Sequence, residues 1–148
     1  MEVRIATPND LAVIVPMMEA FNRFEAIDWS PATGTPAVER LLGDVSLGVI
    51  GLVRIDSRDV GYFVLTWGYD LEWNGRDAFL TELWLEPDFR GRGVGGDVIA
   101  SIEETAMAHG AKALHLMVRH ENVVARRVYE RAGFTSPPRA FLTKKLCD

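Results

Sequence analysis

The residues that could do chemistry gather between positions 81 and 134. The densest group is Arg90-Gly91-Arg92-Gly93-Val94-Gly95-Gly96, a glycine-rich run lying between a strand-like segment and an apolar-periodic helix. Glycines there admit backbone conformations barred to other residues and let the main chain approach a ligand. The free N–H groups of the following helix's first turn then face outward with the positive end of the helix dipole, which suits a phosphate. Arg90 and Arg92 add positive charge.

Three phosphate-binding patterns compete for this run. A P-loop requires G-x-x-x-x-G-K-[ST], and no Lys-Ser or Lys-Thr pair follows these glycines. A dinucleotide fingerprint is formally present in Gly91, Gly93 and Gly96. It calls for an acidic residue about 20 positions on, at the end of the next strand, where this chain has Leu116-Met117-Val118-Arg119. Too little chain remains to complete a doubly wound domain. The spacing Arg90-x-x-Gly93-x-Gly95 instead resembles the acyl-CoA pyrophosphate loop of the GNAT acetyltransferase superfamily. Leu83-Trp84-Leu85-Glu86-Pro87 resembles that family's fourth strand and its exit. Asn122-x-x-Ala125-x-x-x-Tyr129-Glu130-x-x-Gly133-Phe134 resembles its second conserved block. Together the three blocks cover about a third of the chain, in the family's order and spacing.

The resemblance implies a reaction, amine attack on the thioester of acetyl-CoA, and assigns roles to residues. Backbone amides from Arg92 to Gly96 would clasp the pyrophosphate. The backbone of Leu83–Leu85 would pair with pantetheine like an added strand and supply an oxyanion N–H. In the family, the fourth and fifth strands splay to admit the donor; here these are Leu80–Leu85 and Ala113–Val118. Tyr129 stands where the family often has the tyrosine that protonates the leaving thiolate, the role expected for it ahead of the alternative, a packing residue. Glu82 lies beside the expected thioester, on the same strand face as Trp84 and opposite Leu83 and Leu85. Apolar surroundings would raise its pKa towards that of a general base. Some family members carry this carboxylate one residue earlier, where this chain has Thr81, so a water relay is the alternative base. Asn122 is both an N-cap by type and, by resemblance, a contact to the CoA arm.

The acceptor pocket is expected from Phe21–Ser30 and the turn Gly68–Asn74, the segments least like the family. Phe24, Glu25, Trp29, Tyr69 and Trp73 are its candidate residues, aromatics and a carboxylate that suit an ammonium group. The acceptor expected is a small-molecule primary amine, polyamine or lysine-like. A protein N-terminus is an alternative acceptor, and a non-catalytic acyl-CoA sensor is an alternative function. Family members often dimerise, so a homodimer is expected.

The elements that must position these residues follow from periodicity. Val3–Ile5 reads as a strand. Pro8-Asn9-Asp10 opens a helix to about Glu25, and Thr33–Pro36 reads as a loop before a short helix, Pro36–Leu42, stopped by Gly43. Leu47–Ile55, Val60–Tyr69 and Arg76–Leu85 read as an antiparallel meander joined by short turns. A helix from the glycine loop to His109-Gly110, a strand Ala113–Val118 and a helix Asn122–Ala132 follow, with closing strands at Phe134 and Phe141–Leu146. The fold class expected is α/β (α+β): one mixed, mostly antiparallel twisted sheet with helices on both faces, in a single domain, residues 1–148.

Composition bounds the rest. The chain has 148 residues, 48% apolar and 25% charged, with net charge −5. That balance weighs against nucleic acid as a partner. No apolar run is long enough to span a bilayer, and the N-terminus carries no export pattern, so no membrane partner and a cytoplasmic setting are expected. Cys147 is the only cysteine, and His109, His115 and His120 form no metal-like spacing with it, so no metal is expected. The three histidines read as structural, His120 being nearest the expected site.

Overall fold

The computed structural model describes residues 1–147. Five strands form one sheet in sequence order: β1 (Glu2–Ile5), β2 (Gly48–Ile55), β3 (Arg58–Asp70), β4 (Gly75–Leu85) and β5 (Leu114–Leu116). The pairs β1–β2, β2–β3 and β3–β4 are antiparallel, and β4–β5 is parallel. Short turns at Asp56-Ser57 and Leu71–Asn74 allow only antiparallel neighbours. The β4–β5 step is a crossover through helix α3 (Val94–Ala108), as parallel pairing demands.

Helices cover both faces. On one, α1 (Leu11–Phe24) and α2 (Pro31–Leu42) bury Ile14, Met17, Met18, Phe21 and Val38 against Leu52, Tyr62, Val64 and Trp84. On the other, α3 and α4 (Val123–Arg131) pack Val98, Ile102, Ala106 and Tyr129 against Val53, Phe63, Leu65, Ala78, Leu80 and Leu85.

One irregularity shapes the site. Val64 pairs with Glu82 but Leu65 pairs with Leu80, so Thr81 is an extra residue in β4. A bulge of this kind reverses the side-chain alternation beyond it. Ala78 and Leu80 therefore face α3, whereas Glu82 and Trp84 face α1, and Leu83 and Leu85 return to the α3 side.

Some expectations are corrected. The loop expected at Thr33–Pro36 is helical: α2 starts at Pro31 with Ser30 as N-cap, and Pro36 lies inside it. Pro31 at N1 is preorganised for a helix, and Gly34 leaves room for a neighbour, since a Cβ there would lie 2.2 Å from the Trp29 indole. The Pro8-Asn9-Asp10 start of the first helix is a 3-10 turn that leads into α1. β5 is shorter than Ala113–Val118. Phe134 and Phe141–Leu146 form no strands; Phe141, Leu142 and Leu146 are exposed.

Candidate active site

β4 outruns its parallel neighbour. Pairing with β5 ends at Leu80–Leu116, while β4 continues to Leu85 against β3 alone. The backbone of Thr81–Leu85 is left open on its β5 side, and a wedge separates the two strands. The glycine loop stands at the wide end of this wedge. A 3-10 turn, Pro87–Phe89, leads into it, and α3 begins with Gly93 as its N-cap. Gly91 and Gly93 adopt φ of +73° and +83°, the left-handed region that other residues enter at a cost. A Cβ at Gly91, Gly93 or Gly96 would meet nothing within 4 Å, and one at Gly95 would only touch Val128 at 3.7 Å. These glycines line open space before a helix N-terminus, an arrangement whose free N–H groups suit a phosphate. Val94 packs partly against the core and fixes the first turn. Arg92 is exposed at the loop, with no ion pair among the described residues.

Arg90 does not extend from the loop as its position in the sequence implies. Its guanidinium turns back, donates from Nε to Leu85 O at 2.8 Å and lies 4.4 Å from the Trp84 ring centroid. It also lies over Phe24, at 5.3 Å, and burial lowers its pKa.

Glu82 is largely buried beneath α1. Its Oε2 accepts a hydrogen bond from the Tyr62 hydroxyl at 2.5 Å. Burial raises its pKa above the ordinary carboxylate range, and the Tyr62 hydrogen bond works in the opposite direction. Tyr62 itself is fully buried, and desolvation together with the Glu82 charge pushes its pKa far up, so it stays a neutral donor.

Tyr129 projects from α4, its ring edge-on to Phe134 at 5.8 Å. Burial first, and then the negative charge of Glu25, push its pKa up to about 12. Asn122 caps α4, its Oδ1 accepting from Ala125 N at 3.3 Å.

The residues expected to hold the acceptor are separated. Phe24 and Glu25, at the end of α1, reach the wedge. There Arg119, from the segment after β5, engages both: its Nε is 2.9 Å from Glu25 Oε2, Nη2 donates to Phe24 O at 3.0 Å, and the guanidinium lies 5.4 Å from the Phe24 ring centroid. The carboxylate and aromatic face expected for a substrate ammonium thus hold an internal cation, which ties α1 to the β5 side. Trp29 is packed on α2 at Gly34. Tyr69, highly exposed, and Trp73 lie at the β3–β4 hairpin, the opposite end of β4 from the glycine loop. Sequence reasoning missed Tyr62 and Arg119. Tyr62 falls in an apolar run, so nothing marked its hydroxyl; Arg119 lies next to a strand end and gave no sign of a partner 94 positions away.

An open strand edge, a glycine loop at its exit and a buried carboxylate on the same strand thus lie together at one end of β4. A family model described as the Acetyltransferase (GNAT) family matches residues 14–134. The chain belongs to that family and is an N-acetyltransferase. Acetyltransferase ECA0875 of Pectobacterium atrosepticum is 28% identical over 149 residues, covering 100% of this chain and 97% of that protein. Thialysine N-epsilon-acetyltransferase of Bos taurus is 32% identical over 74 residues, and the match spans 50% of this chain and only 43% of that enzyme. Among solved structures, an integron cassette protein from the mobile metagenome of Cole Harbour Salt Marsh superposes with a TM-score of 0.86 at 29% identity, over 99% of this chain and 91% of that one.

Proposed function

We propose that the protein, as one domain over residues 1–148, transfers an acetyl group from acetyl-CoA to the primary amine of a small molecule. The observation that carries this reading is the wedge: β4 lacks a β5 partner from Thr81 to Leu85, and the glycine cradle stands at its exit. Amides of Arg92–Gly96 receive the pyrophosphate, and Asn122 contributes at the α4 side. The backbone of Leu83, Trp84 and Leu85 pairs with the pantetheine arm, and an N–H there faces the carbonyl oxygen. Arg90 props Trp84 and the end of β4.

When bound, acetyl-CoA supplies a thioester that a neutral amine can attack. Glu82, or a water bound to it, takes the amine proton as nitrogen bonds to the carbonyl carbon. The carbon–sulfur bond breaks, and Tyr129 gives its hydroxyl proton to the departing sulfur. Pushed up to about 12, the Tyr129 phenol enters the reaction protonated; being a weaker acid than an ordinary thiol, at about 8.5, it passes its proton uphill, and the phenolate regains a proton from solvent to complete the cycle. We further propose a cytoplasmic homodimer, for which exposed Leu142 and Leu146 offer apolar surface to a second copy.

The likeness to thialysine N-epsilon-acetyltransferase over half of the chain favours a lysine-like acceptor. The test is CoA release from acetyl-CoA against a panel of amines, comparing wild type with Tyr129→Phe. Acceptor-dependent turnover, lowered in the variant, is the expected result. Tight donor binding with no turnover for small amines or peptide N-termini would favour the sensor reading.

A further inference from the structure

A second polar arrangement lies on the same sheet face as Glu82, towards the hairpin end of β4. His115 Nε2 contacts Asp77 Oδ2 at 3.1 Å. Asp77 is mostly buried, and its Oδ1 is fully enclosed without a hydrogen-bond partner. That oxygen sits where a side chain at Gly68 would be: a Cβ there would approach it to 2.4 Å. The imidazole lies between Phe79 and Trp73, each ring centroid 6.1 Å away, and Phe141 flanks Phe79 at 6.1 Å.

Burying a carboxylate with one partner costs several kcal/mol unless an opposite charge compensates it. Among the described residues His115 is the only side chain at hydrogen-bond or ion-pair distance from Asp77. With Nε2 committed to Asp77, Nδ1 is the outward nitrogen. It makes no hydrogen bond within the protein and is not among the enclosed atoms. In its protonated form an imidazole so held offers Nδ1–H to a ligand carboxylate. Lys112, whose ammonium donates to Asn74 O at 2.9 Å, adds positive charge at this end.

His115 is paired in register with Phe79, just before β4 and β5 part. Strand spacing then puts it about 10 Å from Glu82 along the same face. We propose that His115, oriented by Asp77, anchors the carboxylate of an ω-amino acid acceptor whose terminal amine lies at Glu82. This rests on the acetyltransferase reading above and narrows its acceptor from amines in general to lysine-sized amino acids, against polyamines.

The test compares 6-aminohexanoate with pentylamine, which lacks the carboxylate, and with 1,5-diaminopentane. His115→Gln is expected to lower kcat/KM for 6-aminohexanoate about 10- to 100-fold, the range for loss of a charge-assisted hydrogen bond. Pentylamine turnover and the KM for acetyl-CoA should stay within about twofold, the margin below which packing changes dominate. Asp77→Asn should give a smaller loss of the same pattern. Equal loss for all three acceptors, no loss for any, or a selective loss for the diamine would overturn the proposal. Should none of the three be turned over, the acceptor reading fails separately, and the anchor is read by binding. Titration of 6-aminohexanoate into the donor-bound protein should then move the His115 imidazole NMR signals, and an unmoved His115 overturns the anchor.

Discussion

Tyr62 and Glu82, twenty positions apart in sequence, are joined across β3 and β4 by a 2.5 Å hydrogen bond beneath α1. The phenol stays protonated, so it donates, and it selectively stabilises the ionised carboxylate that burial disfavours. As a general base Glu82 must be ionised, so kcat/KM is expected to rise with pH through its raised pKa. Tyr62→Phe removes the lowering influence and should move that acidic limb to higher pH. Glu82→Gln should abolish the limb and lower kcat/KM about 100-fold or more, typical of a lost general base. A limb that survives in Glu82→Gln would assign the base elsewhere.

Tyr129→Phe should lower kcat by about 10- to 1000-fold while leaving the KM for the donor near wild type, since the lost proton acts only as sulfur departs. Steady-state kinetics with a fixed acceptor read this directly. Unchanged kcat would leave Tyr129 as a packing partner of Phe134.

The glycines of the loop should separate into two kinds. Gly93→Ala forces a side chain into φ +83° and should cost about 1–2 kcal/mol of stability. Gly96→Val has free space around it and should leave the melting temperature nearly unchanged, yet the donor's dissociation constant should rise steeply as the new side chain fills the cradle. Calorimetric binding and thermal melts on the same two variants distinguish them.

Arg119→Ala releases the end of α1 from the β5 side. The expected signature is a raised acceptor KM with a smaller change in kcat, because Phe24 and Glu25 border the wedge and are held there by Arg119. Equal damage to donor binding would make the contact a general brace.

Acid should weaken the N-terminal corner. Arg4 donates to Asp10 at 2.7 and 2.9 Å, and Thr7 N adds a third hydrogen bond at 2.8 Å, holding the carboxyl far below its ordinary 3.8. A depressed folded pKa contributes stability above the unfolded value and loses it as pH falls below that value towards the folded one. Asp10→Asn should therefore lower stability at neutral pH and flatten its decline below about pH 4. Parallel melts of both proteins from pH 7 to 2 test this.

Much of the architecture was legible because its signals are local. The meander shows in turn residues between apolar segments, α3 in the spacing of Val98, Ile102 and Ala106, and the cradle in glycines ahead of a helix. What was hidden depends on tertiary contact. Gly34 and Pro36 read as loop residues until Trp29 is seated on the helix, and Phe141–Leu146 has strand composition without a partner among the described residues. Glu82 was readable as a candidate by its place beside a family-like strand. Its hydrogen bond to Tyr62 was not, because register across β3 and β4 is fixed only when the bulge is known. Histidine 115 looked structural for the same reason: its relation to Asp77 depends on a parallel pairing three residues long.

The extra residue at Thr81 makes β4 two half-strands out of phase. Removing it would make Leu80 and Glu82 ordinary neighbours in one regular strand, so Glu82 would keep Val64 opposite it and its place beneath α1. What the deletion would take away is the local bend and added twist that a bulge imposes, just where β4 runs past Leu116 and parts from β5. Length at this position therefore bears on how the two strands diverge and leaves the face of the carboxylate unchanged.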